Sequence, residues 1–127
     1  LSMSDLTGAL LTGANLASCD MRGIKLDHAN LERANMAGAD FTPMAIAGKG
    51  NLDWPASLHR TCLDHADLEG AKMKGVILKE ATLRGANLQN ADLRNAVLID
   101  ADLTNADLRG ADVADADMRG VVGYIAD

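Results

Sequence analysis

The sequence is poor in aromatic residues: Phe41, Trp54 and Tyr124 are the only ones among 127. This scarcity excludes an ordinary core built around large rings. No apolar run reaches the ~18 residues that a membrane-spanning helix needs. Acidic residues outnumber lysine and arginine by 18 to 12, which argues against a general binder of the nucleic-acid phosphate backbone.

Cysteine is also scarce, with Cys19 and Cys62 alone in the chain. Two cysteines 43 positions apart are too few for a disulfide framework or a four-ligand zinc site. We therefore expect two free thiols, with Cys19 a small core residue and Cys62 outward-facing. The first residues show no charged-then-apolar signal segment, and the expected location is cytoplasmic.

What the sequence does contain is aliphatic side chains at a period of five. Steps of five from Leu6 to Ile46 meet nine apolar residues, and steps of five from Leu58 to Met118 meet thirteen. Two residues before these centres stands alanine in 16 of the 22 cases. The position between alanine and the centre is often Asp or Asn. Such regularity predicts a repeat protein.

A period of five does not fit an α-helix, because successive centres would rotate by about 140° and share no face. Local alternation fits better: in the segment 86–88, Ala86 and Leu88 point one way and Asn87 the other. The two remaining positions are often Gly or Asn beside a polar residue, which favours turns. Each pentapeptide is therefore predicted to be a short extended piece followed by a corner, and the whole a solenoid.

Three segments, residues 86–90, 91–95 and 106–110, follow the pattern A(D/N)LXX, and the chain closely resembles the pentapeptide-repeat family. The resemblance implies an all-β fold, a right-handed quadrilateral parallel β-helix with four pentapeptides per coil and about five to six coils. We expect one domain over residues 1–127. Its expected parts are a first repeat block (4–48), a break (49–55), a second repeat block (56–120) and a C-terminal cap (121–127).

The break lies between Ile46 and Leu58, twelve residues apart instead of ten. One interpretation is a seven-residue loop at a corner; the other is a degenerate repeat centred on Leu52 with single-residue bulges on either side. Relatives that act on DNA topoisomerases carry such loops, and an exposed tryptophan is unusual, so the segment is a candidate interaction loop. Its residues are Lys49, Gly50, Asn51, Leu52, Asp53, Trp54 and Pro55.

Two other surfaces are candidates for contacts. The acidic last coil, which could imitate the charge of DNA, consists of Asp100, Asp102, Asp107, Asp112, Asp115 and Asp117. The C-terminal end leaves the repeat but stays apolar, so it could fold back as a cap or join a second copy in a homodimer. This candidate end interface consists of Val121, Val122, Tyr124 and Ile125.

The sequence predicts no catalytic, cofactor-binding or metal-binding site. His28, His59 and His65 occupy outward positions, and Asp64 with His65 lacks a suitably placed nucleophile. We expect a non-enzymatic structural or protein-interaction module that presents flat walls to an unidentified protein partner and binds neither nucleic acid nor membrane directly. The alternative hypothesis is a DNA-mimicking regulator of a type II topoisomerase (gyrase), as in the quinolone-resistance members of the family.

Overall fold

Parallel backbone bridges stack the chain into a four-walled tube. The computed structural model describes residues 1–46, 48 and 53–124. Wall 1 contains Asp5, Lys25, Ser57, Ile77, Val97 and Asp117; wall 2 contains Leu10, Asn30, Cys62, Thr82, Asp102 and Val122; wall 3 contains Asn15, Asn35, Asp67, Asn87 and Asp107; wall 4 contains Asp20, Asp40, Lys72, Asp92 and Asp112. Each wall contains five or six of these paired residues, one from each coil, so the tube has between five and six coils. None of the described residues forms a helix that could cross a membrane.

Each corner between two walls is a tight turn. In residues 6–9, for example, the amide of Ala9 donates to the carbonyl of Leu6 (3.0 Å), and Gly8 between them has φ +73°. This is the pattern of a type II turn, whose third residue needs positive φ. The equivalent residue has positive φ at every corner from Met3 to Gly38 and from Arg60 to Gly120.

The corner requirement explains where the tube is interrupted. Pro43 stands five residues after Gly38, at the next corner position, and its ring holds φ near −65°. Pro43 therefore cannot adopt the positive φ that a corner requires, and the regular coil ends at this point. Lys25 on wall 1 accordingly pairs with Ser57, 32 positions later, whereas Asp5 pairs with Lys25, 20 positions later.

The chain leaves the tube at this point, and described residues on the two sides of the break pair as the base of a β-hairpin. Its strands are β1 (Met44–Ala45) and β2 (Asp53–Trp54), which pair antiparallel with Met44 opposite Trp54 and Ala45 opposite Asp53. We call these four residues the hairpin base. The structure thus differs from the expected boundary at residue 48, because Met44 and Ala45 belong to the hairpin instead of a coil.

The direction of strand pairing bears on the two interpretations of the break, the loop and the degenerate repeat. Asp53 and Trp54 pair antiparallel with β1, whereas a degenerate repeat would stack them in parallel on a neighbouring coil. The antiparallel pairing begins at Met44, before the first residue of the expected seven-residue loop. Residues 49–52, including Leu52, lie outside the described residues.

The core fills the tube with two alternating kinds of side chain. Repeat centres such as Leu58, Leu68 and Leu78 are fully buried, and so are alanines such as Ala71 and Ala81 that stand two residues before a centre. Alanine leaves room near the axis for the leucines of the same coil, so the interior packs densely. The inward positions of the first coil and of residues 106–121 are only half-buried, although they pack against the core.

Candidate functional site

The hairpin base is the part of the expected interaction loop that the structure describes. Trp54 is 50% exposed. The base rests on the corner at Gly23: a Cβ atom added there would lie 3.0 Å from Met44 Cβ and 3.2 Å from the Trp54 carbonyl oxygen. Because Gly23 has no side chain, the hairpin base can pack directly against this corner. Trp54 is therefore exposed to solvent from a base whose position is fixed. Asp53 is exposed and Pro55 half-buried, while Lys49, Gly50, Asn51 and Leu52 lie outside the described residues.

The acidic residues of the repeat have a structural task at the corners. Asp107 Oδ1 accepts a hydrogen bond from the backbone amide of Arg109, two residues later (3.1 Å). The same bond joins Asp40 to Thr42 and Asn30 to Glu32. A short side chain with an acceptor oxygen is needed for this turn-closing bond, which explains the preference for Asp or Asn before each centre.

The acidic last coil is not a purely negative surface. Arg109 Nη2 lies 2.6 Å from Asp107 Oδ2, and the bond from this guanidinium lowers the pKa of Asp107. Arg119 pairs in the same way with Asp117 at 2.7 Å and lowers the pKa of Asp117.

Two more aspartates of the acidic last coil lie close to arginines of the coil below. Arg84 Nε lies 3.9 Å from Asp102 Oδ2, and Arg94 Nε lies 4.0 Å from Asp112 Oδ2. Four of the six predicted acids therefore have an arginine beside them. The exceptions, Asp100 and Asp115, are exposed corner residues with positive φ.

Two aspartates close corners in the next coil, a role that the sequence analysis did not assign to either of them. Ser57 stands where other repeats have Asp or Asn, and Asp27 of the coil below accepts from the Ser57 hydroxyl (2.5 Å) and the His59 amide (3.0 Å). Asp64 likewise accepts from the Arg84 amide (3.0 Å), two residues after Thr82. Both aspartates directly follow a repeat centre, and in the next coil a Ser or Thr replaces the usual Asp or Asn at the corresponding corner. This combination is the sequence signal that could have identified them.

Asp64 also belongs to a cluster with the geometry of metal ligands. The ligand atoms of Glu32, Cys62 and Asp64 lie within 4.8 Å of one another. However, Arg84 Nε and Nη2 bind Asp64 Oδ2 at 3.3 and 3.0 Å. Burial opposes ionisation of Asp64, but the bonds from Arg84 outweigh it and lower its pKa. A guanidinium thus neutralises the carboxylate, and we interpret the cluster as an ion pair that joins two coils.

A second cluster lies at the corner between walls 1 and 2. His59 Nε2 lies 2.9 Å from Glu80 Oε2, and Arg60 Nε lies 3.0 Å from the same oxygen. The bonds from His59 and Arg60 lower the pKa of Glu80 from 4.5 to about 2. The ring of His28, one coil below, lies 6.0 Å from the His59 ring between centroids. His65 does not join His28 and His59, because its ring lies against Gly85 at the next corner.

The shifted pKa of Glu80 predicts a pH-dependent loss of stability. Because the folded state holds the pKa below 4.5, the ionised carboxylate stabilises the fold above pH 4.5, and this contribution disappears as the pH falls toward 2. We expect Glu80→Gln to lower the melting temperature at pH 7 and the difference from the wild type to vanish near pH 2. Glu69→Gln is the control, because Glu69 is exposed and occurs in none of the ion pairs among the described residues. An equal difference at both pH values would contradict this assignment.

The C-terminal end interface is described up to Tyr124. Val122 is 57% exposed on wall 2, whereas Val121 and Tyr124 are half-buried and pack against the core. Tyr124 lines a depression together with Leu108 and Arg109 of the last full coil. Tyr124 thus contacts the core from this end. The cap and the end interface both stay predictions, and Ile125 lies outside the described residues.

Comparisons with known proteins agree with this geometry. The family model described as "Pentapeptide repeats (8 copies)" matches residues 4–42, 56–90 and 86–122. The unmatched residues 43–55 coincide with Pro43 and the extruded hairpin. No curated protein matches the chain significantly.

Solved structures of pentapeptide repeat proteins resemble this one. One from the cyanobacterium Cyanothece 51142 is 25% identical with a TM-score of 0.72, covering 94% of this chain and 91% of that one. One from the thylakoid lumen of Arabidopsis thaliana is 25% identical with a TM-score of 0.62, covering 99% and 71%. One from Nostoc PCC 7120 is 32% identical with a TM-score of 0.50, covering 97% and 77%.

The family match covers most of the sequence, and the expected right-handed quadrilateral β-helix is confirmed. Stacked walls, turn-closing Asp or Asn residues and an alternating Ala and Leu core all follow from one five-residue unit. The chain belongs to the pentapeptide-repeat family.

Proposed function

We propose that the protein is a non-enzymatic interaction module that binds a protein partner through its hairpin, with Trp54 as the central contact. The observation that carries this proposal is the position of Trp54, half exposed on a base that Gly23 and the antiparallel pairing hold in place. Tryptophan is enriched among the residues that dominate protein interfaces, because it buries a large area with little loss of side-chain entropy.

The walls serve as a scaffold for this contact. Their polar side chains are largely used within the tube: Asp92 binds the amide and the guanidinium of Arg94, and Asp102 binds the amide and hydroxyl of Thr104. Such side chains already have partners and add little to the binding of another protein. The hairpin interrupts the walls and offers a large apolar side chain, so it is the better candidate for a specific contact.

Capture of partners from host-cell extract tests the proposal when variants are compared quantitatively. We expect at least one protein to be enriched on the wild type and lost on Trp54→Ser. The matched control is Leu10→Ser, which removes another exposed apolar side chain. Leu10 is 84% exposed on wall 2, whereas the hairpin leaves the tube between wall 4 and wall 1. If Trp54→Ser and Leu10→Ser retain the same proteins as the wild type, the hairpin is not the contact.

The regulator of a type II topoisomerase is not favoured by the charges. A DNA-mimicking face requires carboxylates free of nearby cations, and Asp107 and Asp117 each bind an arginine of their own repeat. Asp102 and Asp112 have arginines of the coil below within 4.0 Å. We therefore limit the proposed function to a protein contact through the hairpin.

A further inference from the structure

The positively charged side chains of the chain fall into two groups. Each of the seven arginines has a guanidinium nitrogen within 3.2 Å of a carboxylate oxygen. The lysines that the structure describes belong to none of the ion pairs among the described residues, and all are exposed: they are Lys25, Lys72, Lys74 and Lys79. The lysines are therefore the positive charges that remain available to a partner.

These lysines also share a location. Lys72 belongs to wall 4 and Lys25 to wall 1, the two walls that meet where the hairpin leaves the tube. Lys74 and Lys79 lie on the same two walls, each two residues after a paired residue and directly before a corner. The exposed lysines of the described chain are therefore confined to the walls that flank the hairpin.

Two of the lysines lie next to the hairpin on opposite sides. Lys25, in the coil below, pairs with Ser57 just after the chain re-enters the tube. Lys74, in the coil above, precedes Gly75, and a Cβ atom added at Gly75 would lie 3.4 Å from Cγ of Pro43 at the start of the break. The exposed tryptophan of the hairpin thus has positive charge both above and below it in the stack.

The carboxylates on these walls already have partners of their own. Three aspartates stand directly above or below Lys25 and Lys72, and each is bonded within its own repeat: Asp5 to Thr7, Asp40 to Thr42 and Asp92 to Arg94. The bond from Arg94 lowers the pKa of Asp92 most, and the charge of Lys74 adds a smaller effect. Asp53, exposed in the hairpin base, opposes the lysines with one negative charge.

We propose that the partner of the hairpin is an acidic protein segment, whose apolar side chains cover Trp54 while its carboxylates lie beside Lys25, Lys72 and Lys74. This inference rests on the proposed function and adds the chemical class of the partner. Complementary charges around an apolar contact speed the encounter and exclude partners of the wrong sign. Because the whole chain has a formal charge of −6, the lysines attract an acidic segment to the hairpin in preference to the rest of the surface.

A nucleic acid also carries negative charge, but the arginines argue against it. Arginine is the side chain that binds phosphate with two parallel hydrogen bonds, and here the arginines are held by carboxylates of the tube. A long phosphate backbone would also meet Asp92 and Asp112 on wall 4 above the lysines. A short acidic segment of a protein avoids this repulsion.

Fluorescence anisotropy with a defined acidic probe tests the inference. The probe is a fluorescein-labelled random copolymer of glutamate and leucine. We expect the triple variant Lys25→Gln, Lys72→Gln, Lys74→Gln to bind it at least about 10-fold more weakly than the wild type, since each exposed charge is worth about 2–5-fold. Binding should also weaken as NaCl rises from about 0.05 M to about 0.5 M.

The matched control removes the same number of positive charges from the other three corners of the tube. It combines Arg33→Gln, Arg60→Gln and Arg109→Gln, whose side chains are 57–73% exposed, and we expect less than about a 2-fold change. Asp53→Asn removes the opposing charge and should tighten binding about 2-fold or more. Circular dichroism verifies that each variant is folded.

Trp54→Ser, which we also expect to weaken binding, separates this inference from the proposed function. If Trp54→Ser loses the copolymer while the triple lysine variant binds it like the wild type, the hairpin contact stands and the acidic partner is wrong. If Trp54→Ser binds like the wild type, the hairpin contact fails and this inference fails with it. The inference is also overturned if the anisotropy does not change up to millimolar protein, or if a labelled single-stranded DNA oligonucleotide binds more tightly than the copolymer.

Discussion

Leu88→Ala is expected to lower the free energy of unfolding by about 2–5 kcal/mol, because it leaves a cavity that the rigid walls cannot close. Leu88 is 1% exposed at the centre of its repeat. Its backbone amide donates to the carbonyl of Asp107 in the next coil at 2.7 Å, so the backbone around the cavity is fixed. Urea denaturation followed by circular dichroism measures the loss.

Leu10→Ala is the matched control for this experiment. Leu10 is 84% exposed at an outward position, so the same deletion should change the free energy of unfolding by less than about 0.5 kcal/mol. Equal losses for the two variants would contradict the assignment of inward and outward positions on which the fold depends.

Gly23→Ala is expected to destabilise the protein by about 2 kcal/mol or more and to displace the hairpin base. Gly23 has φ +64°, which costs an alanine about 1–2 kcal/mol. The added methyl group meets Met3 Sδ at 2.6 Å, which can move aside because it belongs to a flexible side chain. It also meets Met44 Cβ at 3.0 Å and the Trp54 carbonyl oxygen at 3.2 Å, in the hairpin base. Trp54 is the single tryptophan of the chain, so its fluorescence reports directly on the base.

Gly13→Ala separates the cost of the positive φ from the cost of the steric contacts with the hairpin base. Gly13 has φ +69°, and nothing lies within 4 Å of an added Cβ atom. We expect it to show the backbone cost alone and to leave the tryptophan emission unchanged. If Gly13→Ala and Gly23→Ala lose the same stability and the same emission, Gly23 does not seat the hairpin.

Much of the fold could be predicted because the five-residue pattern reports directly on side-chain direction. The stacking of Asp92 under Asp112 and of Asn87 between Asp67 and Asp107 follows from coils of 20 residues and is confirmed. Cys19 was expected at an inward position, and it packs against the core. These outcomes depend only on local alternation and on a constant coil length.

The register across the break could not be predicted, because the apolar pattern continues into the hairpin. Met44 and Ile46 occupy positions that fit a further repeat, so counting apolar residues placed the boundary five residues late. Only the backbone argument, that Pro43 cannot form the next corner, gives the correct position. The candidate site depended on this register, and the meeting of His28 with His59 could not be seen without it.

Disulfide trapping measures this register most directly. In a background without Cys19 and Cys62, Lys25→Cys with Ser57→Cys places two cysteines on adjacent rungs, about 4.8 Å apart, which suits a disulfide. The account predicts rapid loss of both thiols under mild oxidation in this variant, and persistence of both in Asn30→Cys with Ser57→Cys. The reverse result, a disulfide between positions 30 and 57 only, would keep the repeat centred on Ile46 in the tube and contradict the extruded hairpin.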